Sequence, residues 1–243
     1  MLTVNKERVN ALLTGLAKFT ASEQGVTRLA YSPLDKEAQS WLLEQVKDLG
    51  LSLREDAVGN VFLRREGSDS SLPAVACGSH LDTVIHGGAY DGMCGVVGAL
   101  EALYMLREAK LKRSIEVIIF RAEESSRFGF ATMGSKLLTG AATPEKLNKG
   151  GKKDDISFIE ALRQWGCDPE KYPDAVISAR HYASLASCIS SRARCWRKRA
   201  YKSVLCVILP RRRALSFTYR AWQTTAALRR WACDAMPWWP RPS

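Results

Sequence analysis

Two short stretches of the sequence hold side chains that could do chemistry together. The first, GSHLDTVIHGGAYDGMCGV, closes an apolar run with a histidine, two aspartates and several glycines just before a helix-like segment. Its H-x-D spacing, His80 and Asp82, suits an imidazole that binds a divalent metal through one nitrogen while the carboxylate receives the other N–H. Asp91, at the mouth of the next helix, has the type and place to bridge two cations, and would also serve as that helix's N-cap. Gly87, Gly88 and Gly92 let the backbone turn sharply there. The second stretch, RAEESSRFG, ends a strand-like run with two carboxylates, which on a strand point to opposite sides. Of Glu123 and Glu124, one could hold a metal while the other accepts a proton from water. Two cations about 3.5–4 Å apart would lower that water's pKa toward about 7 and polarise a carbonyl. Singly, each feature is ordinary: a surface pair, a helix cap, solvated glutamates. At the ends of two successive strands joined by one helix, they point to a binuclear hydrolase site. His86 reads as a loop histidine satisfied by its neighbours.

The elements that would place these groups are legible up to about residue 178. NKERVNALLTGLAKFTA carries Val9, Leu12, Leu13, Leu16 and Phe19 at helical spacing. A second helix opens at Ser32 before Pro33 and stops at Gly50. LSLREDA and GNVFLRRE are short strands around a turn at Gly59 and Asn60. LPAVACGSH predicts a buried strand, DGMCGVVGALEALYMLREA a helix and SIEVIIFRAEE another buried strand. Strand, helix, strand in that order implies a crossover and parallel pairing, and DDISFIEALRQWG predicts a further helix. The fold class is therefore α/β, a mixed, largely parallel sheet flanked by helices, with the ligands where open sheets of this kind place them.

The totals sharpen that division. The chain has 243 residues, 46% apolar, with a formal charge of +11. Residues 1–178 hold 22 Lys and Arg against 24 Asp and Glu; residues 179–243 hold 14 against the single Asp234. The basic excess thus belongs to one end, which also holds five of the seven Trp and shows no sustained period apart from SVLCVIL. A basic, aromatic segment can bind polyanions or membrane surfaces, but no helix there presents a clean basic face. We read 179–243 as a segment not selected to fold, with no specific nucleic-acid partner and no membrane partner. There is no signal-peptide pattern and no apolar run of membrane-spanning length. Seven cysteines without a C-x-x-C pair suggest a reduced, cytoplasmic chain, with Cys77 and Cys94 as small buried hydrophobes.

The two motifs, GSHLDTVIHGGAYDGMCGV followed by AEESSRFGFATMGSKLLTG, resemble the metal-dependent aminoacylase/carboxypeptidase superfamily over about residues 5–178. The closer branch is that of N-carbamoyl-L-amino-acid hydrolases and allantoate amidohydrolases, favoured by the EESSRFG…GSK run. The resemblance implies His80 as ligand of one metal, Asp91 as the bridge and Glu124 as ligand of the other. It implies Glu123 as general base and Asp82 as the residue that orients His80. The implied cofactor is two divalent metal ions, zinc or manganese. The implied reaction is hydrolysis of a linear amide-like C–N bond in an N-carbamoyl amino acid or ureide, by a homodimer. Aminoacylase or peptidase activity of the same superfamily is the alternative.

The family's remaining ligands are not found in this sequence: one His in an H-I-E-Q-G-P run shortly after residue 180, another near the C-terminus. The lid and dimerisation domain is not found either. CISSRARCW can be encoded so that a frame offset by two bases reads H-I-E-Q-G-P-V-L, and AWQTTAALRRWACDAM so that the same frame reads a second family motif. Residues 179–243 are therefore expected to be a shifted-frame, non-native tail, and the chain an incomplete, inactive copy.

Overall fold

The computed structural model describes residues 2–148, 156–178, 181–189 and 204–208. Helix α1 (Lys6–Ala17) starts on Asn5, whose side chain accepts from Arg8 N, and buries Leu12, Leu13 and Leu16. Ser32 caps α2 (Pro33–Gln45) by accepting from Asp35 N, with Pro33 in the first turn, where its missing N–H costs nothing. The chain then tightens into a 3-10 turn that stops on Gly50 in the left-handed region. Strands β1 (Ser52–Glu55) and β2 (Val61–Arg65) form an antiparallel hairpin. The Asp56 carboxylate closes its turn by accepting from Val58 N and Asn60 N.

The middle of the molecule is β3 (Ala74–His80), helix α3 (Met93–Leu106) and β4 (Ile115–Phe120). β3 and β4 pair in parallel, His80 opposite Phe120. Helices α4 (Met133–Leu138), α5 (Pro144–Leu147), α6 (Phe158–Trp165) and α7 (Tyr172–Ala175) follow, then β5 (Tyr182–Ile189) and β6 (Val204–Ile208). Among the described residues the strands form one sheet in the order β1-β2-β4-β3-β5-β6. Its centre, β4-β3-β5, is parallel, and the flanks are antiparallel. Val61, Leu63, Val117 and Ile119 pack with α1, α2 and α3 on one face. Phe62, Ala76, Ile118, Phe120, Leu138 and Tyr182 form the cluster on the other. Each fully buried Leu, Ile or Phe contributes about 1.5–3 kcal/mol, so the two faces together hold the sheet. A third cluster, edge-on rings of Tyr31, Phe128, Phe158 and Trp165, closes the side beyond β4.

Two expectations need correction. SIEVIIFRAEE is not strand to its end. β4 stops at Phe120 because the Asn60 side chain accepts from Arg121 N, and Arg121, Ala122 and Glu123 then bond their carbonyls to the amides that open α4. Ala122 adopts φ +47 to make that exit. Glu123 and Glu124 therefore stand in a loop, and strand alternation does not set their directions. Nor is Asp91 the cap of α3: Gly92 occupies that position with φ +68 and no side-chain cap bond.

β5 and β6 lie beyond residue 178, in the part that reads as basic and unpatterned. β5 runs parallel to β3 with a bulge between Ala74 and Val75. Residues 190–203 and 209–243, including the shifted-frame reading of AWQTTAALRRWACDAM, lie outside the described residues. No described helix is long and apolar enough to cross a membrane.

Candidate metal and catalytic site

Parallel pairing of β3 with β4 brings the loops that leave them side by side, so groups 41 and 42 residues apart in sequence meet. His80 is the last residue of β3 and is buried. Its Nδ1 lies 2.9 Å from the Asp82 main-chain oxygen; a carbonyl only accepts, so Nδ1 carries the proton. Nε2, on the other side of the ring, faces Glu123, whose Oε2 is 3.5 Å away. That buried Nε2 has no hydrogen-bond partner.

Asp82 acts differently from the sequence expectation. Its carboxylate is 3.7 Å from His80 Nδ1 and instead accepts from the amides of Glu123, at 3.2 Å, and Glu124, at 2.9 Å. The carbonyl orients the ring; the carboxylate ties one site loop to the other. Gly92 presses on the same ring. A Cβ there would come within 2.5 Å of His80 Cε1 and of the His80 carbonyl oxygen, and the φ of +68 is costly for any other residue. The start of α3 thus carries Asp91, itself buried, up to the histidine.

The other histidines stand elsewhere. His86 adopts φ +53, and its Nδ1 is 2.8 Å from Ser22 Oγ and 2.9 Å from the Gln24 carbonyl oxygen, as expected of a satisfied loop residue. His181 is exposed at the start of β5, beside Tyr182, which pairs with Ala74 at the opposite end of β3 from His80. Cys77, Cys94 and Cys167 form no disulfide; Cys77 and Cys94 are half-buried rather than buried as expected, and removal of its sulfur from water pushes Cys77 up to about 12, far from reactivity.

Electrostatically the cluster is crowded with acid. Burial pushes Asp82 up to about 6; His80 opposes that, and Asp35 adds to it. Burial likewise lifts Glu124 to about 7; His80 opposes it, while Glu123, Asp91 and Asp82 add to the push. His80 is raised above its ordinary value: burial favours the neutral ring, but Asp82, Glu123, the Asp82 carbonyl and Asp91 outweigh it. Carboxylates that must compete for protons near neutrality form a set a divalent cation would relieve. With an Nε2 that makes no hydrogen bond, these are donors of the kind a divalent cation takes. Among the described residues, no three His, Cys, Asp or Glu side chains are gathered closely enough to hold one ion as they stand.

Sequence reasoning missed Arg28 and Thr83. Arg28 is wholly buried behind the His80–Asp82 turn, and Thr83 bonds to its backbone. Neither belongs to a recognisable spacing, because most of their partners are main-chain atoms.

The profile of Peptidase family M28 matches residues 60–157. Ureidoglycolate hydrolase of Oryza sativa subsp. japonica is 43% identical over 167 residues, 67% of this chain and 34% of that enzyme. N-carbamoyl-L-amino-acid amidohydrolase of Paenarthrobacter aurescens is 39% identical over 175 residues, 71% of this chain and 42% of that enzyme. The crystal structure of AtUAH in complex with glyoxylate matches with a TM-score of 0.69 and 35% identity, over 76% of this chain and 45% of that one. A hydantoinase/carbamoylase family amidase from Burkholderia ambifaria matches with a TM-score of 0.64 and 33% identity, over 69% and 42%. The chain thus spans less than half the length of the relatives it matches. Over the part that matches, it belongs to the branch of N-carbamoyl-L-amino-acid and allantoate amidohydrolases.

Proposed function

We propose that the chain carries one part of a two-cation site for hydrolysing a linear amide-like C–N bond, in an N-carbamoyl-L-amino acid, ureido acid or allantoate. The observation that carries this reading is the buried Nε2 of His80, without a hydrogen-bond partner and 3.5 Å from Glu123, in a cluster of carboxylates. His80 and Asp91 would hold one divalent ion, zinc or manganese, and Asp91 with Glu124 the other. Such ions supply Lewis acidity: they draw electron density from a carbonyl oxygen and make water easier to deprotonate. Glu123, partly exposed, would take a proton from the attacking water and return it to the leaving nitrogen as the C–N bond breaks. Asp82 would keep both loops in register through the Glu123 and Glu124 amides.

Each ion then has two protein ligands from this chain, whereas catalytic zinc sites use three and a water. The whole sequence holds three histidines, of which only His80 stands at the site. This supports the proposal that residues after about 179 are read in a shifted frame and that the 243-residue chain is inactive. β5 adds a geometric reason: its Ser187 pairs with Gly78, so residues 188 and 189 reach the His80 end of the sheet. Residue 188 begins the run whose offset frame can read H-I-E-Q-G-P. The match to Peptidase family M28 favours aminoacylase or peptidase activity as the second reading.

The test has two arms. Zinc or manganese titrated into the chelator-treated 243-residue chain should bind weakly and bind less in His80→Ala. A chain with the frame restored, assayed on N-carbamoyl-L-amino acids, allantoate, N-acyl amino acids and dipeptides, should hydrolyse one of the first two and lose activity to a chelator. No metal binding by either chain would overturn the site. Preference for a dipeptide or N-acyl substrate would select the second reading.

A further inference from the structure

Residues 26–35 run behind both site loops. Thr83 N donates to the Arg28 carbonyl at 2.8 Å, and the Arg28 amide donates to Thr83 Oγ1 at 2.9 Å. Asp35 pairs with Arg121, two residues before Glu123, and Arg127 donates to the Ala30 carbonyl. The side chain that goes deepest is Arg28. Its Nε donates to the Leu81 carbonyl at 2.9 Å; one terminal nitrogen donates to the Leu16 and Phe19 carbonyls at the end of α1; the other meets Met93 Sδ in the first turn of α3. A guanidinium wholly out of solvent, given to three main-chain oxygens and a sulfur, is an expensive way to fill space. Its geometry does one thing a hydrophobe could not: it fixes the carbonyl between His80 and Asp82.

We propose that Arg28 is a positioning residue for the site: by holding the Leu81 carbonyl against α1 and the start of α3, it keeps the Asp82 carbonyl on His80 Nδ1 and so leaves Nε2 free to bind. Leu81 sits between the ring and the oxygen that orients it, so a swing of its peptide would move Asp82 O off Nδ1 and let either ring nitrogen carry the proton. The planar fork can reach Leu81, Leu16 and Phe19 together; a lysine can reach the α1 carbonyls but has no Nε to hold Leu81.

The test uses the chelator-treated 243-residue chain, labelled with ¹⁵N, at a pH high enough that the ring spectra show neutral imidazole. Long-range ring spectra should show a pure Nδ1–H tautomer for His80. Arg28→Lys should melt cooperatively yet show mixed tautomers, and its zinc affinity should fall about 10-fold, the scale of losing an outer partner of a ligand. If Arg28→Lys fails to fold, Thr83→Val, which keeps the guanidinium but loses the hydroxyl that accepts from the Arg28 amide, should move both readouts the same way by less. Arg64→Lys, which loosens the Arg64–Glu116 pair on the sheet, should lower stability and leave the His80 spectrum unchanged. An unaltered tautomer in the folded variants, with only a lower melting temperature, would overturn the proposal. The affinity arm rests on the metal reading given above, whereas the tautomer arm does not. A tautomer change without any zinc binding by the parent chain would sink the metal and leave Arg28 in its role.

Discussion

β4 and β5 occupy equivalent places, each a parallel neighbour of β3, yet they deliver different things. β4, the run IEVIIF, is buried almost throughout, ends beside His80 and releases Glu123 and Glu124 into a loop that Asp82 holds by two amides. β5, the run YASLASCI, is half-buried along its middle and anchored by Tyr182, whose hydroxyl donates to Glu116. It reaches the same end of the sheet, but after Asp174 the sequence has no carboxylate until Asp234, and its only histidine, His181, stands at the far end. A strand slot accepts many sequences of small and apolar residues, because what it demands is main-chain pairing and a buried face. A ligand position accepts only a residue with the right atom. Among the described residues, the same topology therefore gathers an imidazole and carboxylates at the His80 end on one side of β3 and none on the other.

If residues from about 179 are read in a shifted frame, as proposed, restoring the frame there, which also replaces β5, is the strongest way to break that contrast. Hydrolysis of an N-carbamoyl amino acid should rise at least about 10³-fold over the 243-residue chain, a modest part of an enzyme's usual acceleration, measured by release of the free amino acid. An uninterrupted conventional frame across codons 175–185 of the gene would remove the premise. On the β4 side, His80→Ala should weaken zinc binding by about 100-fold, at or beyond the upper end of losing an outer partner, seen by calorimetry. Gly92→Ala should cost about 1–3 kcal/mol in urea denaturation, through its left-handed backbone and the clash with the imidazole. Tyr182→Phe asks whether β5 is truly seated: loss of its bond to Glu116 should cost about 1 kcal/mol, and no cost would mean the slot is empty in solution. The smallest effect concerns pH. A carboxyl held at about 7 binds its proton more tightly folded than unfolded. The stability this gives is present at low pH and lost as pH rises through 7. The melting temperature of the metal-free parent relative to Glu124→Gln should thus fall by a few degrees between pH 5 and pH 8.

Much of the β4 side was legible in the residues. Ser32 and Gly50 announce the bounds of the second helical segment, the apolar runs announce β3 and β4, and strand-helix-strand order fixes their parallel contact, which brings His80 to Glu123. What escaped is what long-range contacts decide. Nothing in SIEVIIFRAEE says that Asn60, 61 residues earlier, will take the Arg121 amide and end the strand at Phe120. Aspartate before a helix ordinarily caps it, but here the bulk of His80 demands glycine at position 92, and the cap passes to Gly92. Asp82 was expected to orient the imidazole by its carboxylate; its carbonyl does so, because the two amides claim the carboxylate. Arg28 gave no signal, since carbonyl partners leave no mark on the sequence.

The parallel pair β3–β4 with its single connecting helix has a further consequence, for the order of events as the polypeptide is made. Every contact that joins the imidazole to the two glutamates closes within residues 80–124. A nascent chain can knit this corner before any later strand has left the ribosome. Early termination would thus yield a corner already joined, not merely a fragment without shape.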